Sequence, residues 1–137
     1  MTSTHYTQVP GPVGAFYGDG GISHAAVIPA GAKRIVTSGE GGLDLATGEL
    51  VTSSLEAQIR AAFALVDQVL KTAGATKGLA DAYKFTALLL DMKDEALLMK
   101  VFNELCPDNK PTFMTYAVAG LALEGMRVEL QAEASIP

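Results

Sequence analysis

Apolar and polar positions follow two periods along this chain. From Leu55 onward, Leu55, Ile59, Ala62, Phe63, Val66, Val69 and Leu70 recur at helical spacing and form one stripe. Ser53 followed by Glu56 matches a capping box at its start, and Gly74 is placed to end it. A second stripe, Leu97, Leu98, Val101, Phe102 and Leu105, predicts a helix that Asp91 can cap and Pro107 terminates. The stretch "DAYKFTALLLDM" is a near-continuous apolar run bounded by polar residues, the pattern of a buried strand. "MRVELQAEA" alternates: Val128, Leu130, Ala132 and Ala134 face one way, Arg127, Glu129, Gln131 and Glu133 the other. "KPTFMT" opens on a proline, which costs no hydrogen bond at a strand's first residue, and both of its faces carry bulk.

Earlier in the chain, "SHAAVIP" and "KRIVTSG" flank the turn-forming "PAGA" and predict a hairpin. In "EGGLDLATGELV", Asp44 and Gly48 mark a further turn. The order strand, strand, helix, strand, helix, strand, strand predicts an α/β (α+β) fold, a mixed sheet with two helices on one face. Two helices leave the other face bare, and that face mixes polar with sizeable apolar residues. Burial in a symmetric oligomer is the simplest expectation. The first 14 residues, rich in Pro and Gly, are expected to form a loosely draped arm, with a single domain over 15–137.

Bulk properties narrow the function. The 137 residues carry 18% charged and 49% hydrophobic residues, the balance of a globular domain. A net charge of −5 with only ten Lys and Arg disfavours nucleic acid as a partner. No apolar run reaches membrane-span length, and the N-terminus has no signal-peptide core, so a cytoplasmic location is expected. One cysteine, Cys106, excludes an internal disulfide, and burial is its expected role. Two histidines without metal-ligand spacing predict no metal, and the glycine-rich "GDGG" and "GEGG" fit neither a P-loop nor a dinucleotide fingerprint, so no cofactor is expected.

Five segments in order, "SHAAVIPAG", "VTSGEGGLDLATGEL", "EAQIRAAFALVDQVLKTAGAT", "LLLDMKDE" and "MRVELQAEA", resemble the YjgF/YER057c/UK114 (Rid) family. The resemblance implies a chorismate-mutase-like fold, a homotrimer and small-molecule pockets between subunits. Archetypal members hydrolyse imines and enamines left by pyridoxal-phosphate enzymes; others have been described as ribonucleases or translation inhibitors. On that resemblance, Ser38 and Gly39 match a pocket-lining serine-glycine pair. Glu129 matches a glutamate that positions the attacking water. In an apolar interface pocket its pKa should be raised, suiting it to general acid or base work. Thr115 stands where a cysteine or similar small residue is common.

Other positions depart from the family pattern. The arginine that grips a substrate carboxylate is matched by Phe113, within Pro111-Thr112-Phe113-Met114. A tyrosine is matched by Ile22, a glutamine by His24, another glutamine by Glu40, and a helical asparagine by Met99. Phenylalanine offers area and a π face where arginine offers a charged, bidentate fork. Ile22, Met99 and Phe113 together imply a more apolar pocket and a weak or absent 2-imino-acid deaminase activity. If the predicted hairpin forms, His24 falls opposite residues 37–39, close to Glu40, and a His–carboxylate proton relay becomes available. The plainer alternatives are a hydrogen-bonded strand histidine, a solvated Glu40, an interface role for Glu129, and simple packing for Phe113 and Met99. The expected function is hydrolase-, deaminase- or isomerase-like chemistry on a small, fairly apolar molecule. The alternatives are a non-catalytic ligand-binding or chaperone-like trimer and a ribonuclease.

Overall fold

The computed structural model describes residues 3–137. Its main sheet has five strands: β3 (Lys33–Val36), β4 (Glu40–Gly41), β5 (Ala82–Leu89), β6 (Thr112–Ala117) and β7 (Val128–Ile136). The order is β3-β7-β5-β6, and β4 continues along β7 beyond β3. β7 is antiparallel to β3, β4 and β5, while β5 and β6 are parallel. A parallel pair needs a crossover, and α3 (Glu95–Leu105) supplies it.

Both long helices lie on one face. α2 (Leu55–Thr72) buries Ile59, Ala62, Phe63, Val66 and Leu70, and α3 buries Leu98, Val101 and Phe102. Beneath them, β7 contributes Val128, Leu130, Ala132 and Ala134, and β5 contributes Phe85, Ala87 and Leu89. These residues form one core whose centre is aromatic: Phe63, Phe85 and Phe102 have centroids 5.1–6.1 Å apart in tilted and edge-on contacts. Buried Gln58 interrupts the α2 stripe without penalty. Its amide donates to the Val51 and Gly125 carbonyls and its oxygen accepts from the Arg127 N–H.

Several expectations are corrected. The "PAGA" hairpin does not form. β2 (Ala25–Val27) pairs with β1 (His5–Thr7) in a separate two-stranded sheet, whereas β3 pairs with β7. The N-terminal segment is therefore structured, and the boundary expected at residue 14 falls inside a third helix, α1 (Pro12–Asp19). Residues 1 and 2 of that expected arm lie outside the described residues. Pro12 begins α1, where a missing N–H costs nothing. The cap of α2 is Ser54, whose hydroxyl accepts from the Ala57 N–H at 3.0 Å, so Ser53 is not the cap. Asp91 caps a short 3-10 turn, Met92–Asp94, that leads into α3. Leu105, placed in the buried stripe, is 44% exposed.

The Asp44 turn forms as expected. Its carboxylate accepts from Ala46 and Thr47 N–H, and Gly48 adopts a φ of 75°. Gly74 also behaves as expected. At φ 116° it closes a Schellman motif, with its N–H on Lys71 O and the Ala75 N–H on Leu70 O.

Candidate functional site

The candidate residues fall into two groups on opposite faces of the sheet. Val36 pairs with Glu133 on the open face, while Glu40 pairs with Leu130, whose side chain lies in the core. The β3–β4 side therefore holds one residue more than β7, a bulge at Ser38–Gly39. Thr37 anchors it. Its N–H donates to Ala132 O, its hydroxyl donates to Ser38 O, and that hydroxyl accepts from the Ala132 N–H. The Gln131 side-chain amide donates to Thr37 O at 2.9 Å. Ser38 and Gly39 are thereby presented to solvent.

The Glu129 side chain lies across Gly39. A Cβ on Gly39 would sit 2.8 Å from Glu129 Cδ and 2.9 Å from Oε2, closer than contact allows. A side chain at position 39 would push the Glu129 carboxylate aside, so the glycine leaves room for that placement. A hollow of about 250 Å³ surrounds the carboxylate, floored by Thr86, Leu88 and Gln131. Gly41 is the cross-strand partner of Glu129, so Glu40 is one residue from it. Partial burial, and next the Glu129 carboxylate, raise the Glu40 pKa above the ordinary range. Glu40 is thereby biased toward its protonated form.

The second group lies on the helix side, at the β6 edge. Phe113 is the partner of Phe85 across the parallel pair and stacks on it at 5.4 Å and 18°. It also meets Phe102 edge-on at 5.4 Å and 63°. Phe113 and Met99 thus extend the aromatic core to the sheet edge. Thr115, two residues on, shares that face and pairs with Ala87.

Residues 20–24 close this edge from below. The Asn103 amide donates to Gly20 O, and the Ser23 hydroxyl and N–H donate to Lys110 O and Pro111 O. Ile22 is held between those anchors, with its carbonyl accepting from Gln8 Nε2.

His24 does not lie opposite residues 37–39, because the hairpin behind that expectation is absent. Its N–H donates to Thr7 O and Gln8 Oε1, and its ring stacks on Tyr17 at 3.8 Å and 19°. Its Nε2 is buried with no partner among the described residues. The proton relay to Glu40 loses its geometric premise. Gln131, Tyr17 and Ser23 were not singled out from sequence. Gln131 carries a usable signal, since it lies two residues from Glu129 on an alternating strand. The other two depend on the unforeseen α1.

Among the described residues, no group of three or more His, Cys, Asp or Glu side chains is arranged to hold a metal ion. No described helix is long and apolar enough to cross a membrane.

Comparison with known proteins agrees with this geometry. A family model described as Endoribonuclease L-PSP matches residues 20–136. The human 2-iminobutanoate/2-iminopropanoate deaminase is 28% identical over 127 residues, covering 93% of this chain and 84% of the relative. The bovine protein of the same name is 31% identical over 100 residues, covering 73% of this chain and 71% of the relative. The crystal structure of YyfB, a Rid-family protein of unknown function from Yersinia pestis, superposes with a TM-score of 0.82. It covers 99% of this chain and 100% of its own, and at 21% identity the likeness is one of fold.

Proposed function

Because the chain belongs to the Rid (YjgF/YER057c/UK114) family, we propose that it processes imines or enamines whose reacting carbon carries an apolar group and no carboxylate. Its pocket forms between copies of a homotrimer. Phe113 is the observation that carries this reading. On the family resemblance it stands where a carboxylate-gripping arginine would be, and its ring is stacked into the Phe85–Phe102 core. A 2-imino acid meets no fixed positive fork there. Losing such a contact costs about 2–5 kcal/mol, so catalysis on 2-imino acids falls by a factor of about 30 or more.

The chemistry rests on Glu129, on the open face, and on Glu40, close enough to feel its charge. Hydrolysis of an imine needs a water aimed at the carbon and a proton delivered to the departing nitrogen. Glu129, held over Gly39, orients and deprotonates the water. Glu40, biased toward its protonated form, resupplies the proton. Ser38 and Thr115 offer hydroxyls for the nitrogen or the developing tetrahedral oxygen, and Ile22, Met99 and Phe113 form the apolar wall. Within one chain the wall and the carboxylates are on opposite faces, which favours a pocket completed by a second copy.

A non-catalytic, ligand-binding trimer is the second reading, favoured by the same loss of the arginine. A ribonuclease role is disfavoured by the net charge of −5.

The two leading readings separate in one assay. Imines are generated by an amino-acid oxidase, or from aryl ketones and ammonia, and their disappearance is followed. The expected result is slow turnover of 2-imino acids, faster turnover of aryl imines, and loss of the latter in Glu129→Gln with ligand binding retained. Aryl-imine turnover that survives Glu129→Gln would sink the assignment. Rapid hydrolysis of 2-imino acids by the wild type would show that the arginine is dispensable.

A further inference from the structure

A concavity larger than the hollow at Gly39 and Glu129 lies elsewhere on the chain. It is a cleft of about 770 Å³ on the helix side, between α2, the Gly78–Asp81 turn, β1 and the exit of α3. That volume lies within the range of small-molecule sites. Its walls are apolar, from Ala64, Leu79, Leu105 and Pro107. Covering the open sheet face with other copies would leave it accessible.

One polar group in the cleft is fixed and unspent. Asn109 is only 7% exposed. Its amide nitrogen donates to Leu79 O at 3.0 Å and to Ala82 O at 2.8 Å. Two carbonyl acceptors determine which end of the amide is nitrogen, so the other end is an oxygen. Among the described residues no donor reaches that Oδ1, and it is not sealed from solvent. Beside it, the Tyr6 hydroxyl donates to Ala82 O and keeps its own lone pairs for an incoming donor. Burial, and next the Asp67 carboxylate, push the Cys106 thiol up to about 11, so the floor carries a neutral S–H. The floor thus offers acceptors and no free cation.

Charge around the mouth points the same way. Arg60 is held by Glu56 and Glu104, at 3.2 and 2.7 Å, and Lys71 by Asp67 at 2.8 Å. Lys77 and Asp108 also line the cleft. The carboxylates Glu56, Asp67, Glu104 and Asp108 outnumber the three cations. A cationic donor is favoured over an anion.

We propose that this cleft is a second ligand site, for a small molecule with an apolar body and a protonated primary amine, the ammonium bonding Asn109 Oδ1 under the field of Asp67 and Asp108. The apolar body lies along Ala64, Leu79 and Pro107. No chemistry is assigned to it; the site binds.

The probe is 2-phenylethylammonium, with phenylacetate as its charge-reversed control, titrated into the ¹⁵N-labelled full chain. Saturable shifts are expected at the Asn109 side-chain amide and at the Leu79 and Cys106 N–H. The amine should bind at least about tenfold more tightly than the carboxylate. Ala64→Phe fills the cleft from an exposed helix position and should abolish the shifts. Asp108→Asn, on the exposed rim, should weaken amine binding and, if anything, tighten that of phenylacetate. Equal affinity for the two probes, no saturable shift, unchanged binding in both variants, or shifts confined to Gly39 and Gln131 would each overturn the proposal. Imine turnover is not an input to this experiment, so it stands or falls separately from the assignment of Glu129.

Discussion

Glu40 shows how a single residue carries information that sequence spacing misplaced. Sequence spacing places it near His24 across a hairpin; in the structure its neighbour Gly41 pairs with Glu129, and Glu40 lies close enough to feel that charge. Its pKa is raised, first by burial and then by the Glu129 carboxylate. A carboxyl whose folded-state pKa lies above its unfolded value contributes stability that is fully present below the unfolded value. That contribution is lost as pH rises through the folded value. Above that range, an ionised Glu40 sits in an unfavourable place. Glu40→Gln keeps the shape and removes the charge. Its melting temperature should match the wild type near about pH 4 and exceed it near about pH 7.5. Equal differences at both pH values would mean that the Glu40 pKa is not raised, by burial or by Glu129. The same substitution should reduce turnover if Glu40 is the proton donor, giving a stability gain and an activity loss from one change. Glu129, Ser38 and Gly39 are singled out by the family resemblance, each within a segment that carries it. The distance between Glu40 and Glu129 could not be read from sequence, because a one-residue bulge at Ser38–Gly39 sets it.

At the scale of elements, the long amphipathic pieces were legible and the short ones were not. α2, α3, β5 and β7 declare themselves because each buries a continuous face, and the hydrophobic period survives into the structure. α1 declares nothing. It has eight residues, two of them glycine, no side-chain cap and no acidic residue in its first turn. It is held instead by distant partners, including the Lys110 ammonium on Gly18 O at 2.9 Å. β1 is three residues long, yet it takes β2 as its partner. No local pattern indicates that competition between β1 and β3 for β2. Adjacent serines at the start of α2 give a sharper case. The Ser-x-x-Glu pattern selects Ser53, but the extended backbone and the bond to the Ala57 N–H belong to Ser54. Ser54→Ala should cost about 1 kcal/mol in denaturant unfolding, and Ser53→Ala only a few tenths. The reverse order would return the cap to Ser53 and with it the capping box.

For the whole molecule, the decisive fact is the bare face. α2 and α3 seal one side of the sheet. On the other, Val36, Met114 and Tyr116 are 61, 56 and 47% exposed, flanking Thr86, Leu88 and the Glu129 hollow. A stable soluble monomer rarely leaves such a surface uncovered. The candidate site makes the same demand by a separate route. Phe113 and Thr115 project to the helix side, and Glu129 and Gly39 to the open side, so one chain cannot present all four to one small molecule. A closed cyclic assembly in which each interface set one copy's β6 edge against the next copy's open face would meet both demands. The chain should therefore run in solution with a mass near three times its 14.3 kDa. Val36→Glu or Met114→Glu places a charge on the covered face and should shift that mass toward the single chain. Imine turnover should fall in parallel, because the pocket is divided when the copies separate. Neither substitution touches the core, so the helical circular-dichroism signal should be kept. Mixing gives the stricter test. Glu129→Gln copies lack the carboxylate and Phe113→Ala copies lack the wall, so each homotrimer should be poorly active. Co-assembled heterotrimers regain some pockets with both halves intact, and activity should rise on mixing. If mixing restores nothing while both variants remain trimeric, the two halves do not meet across an interface, and the site lies within one chain after all.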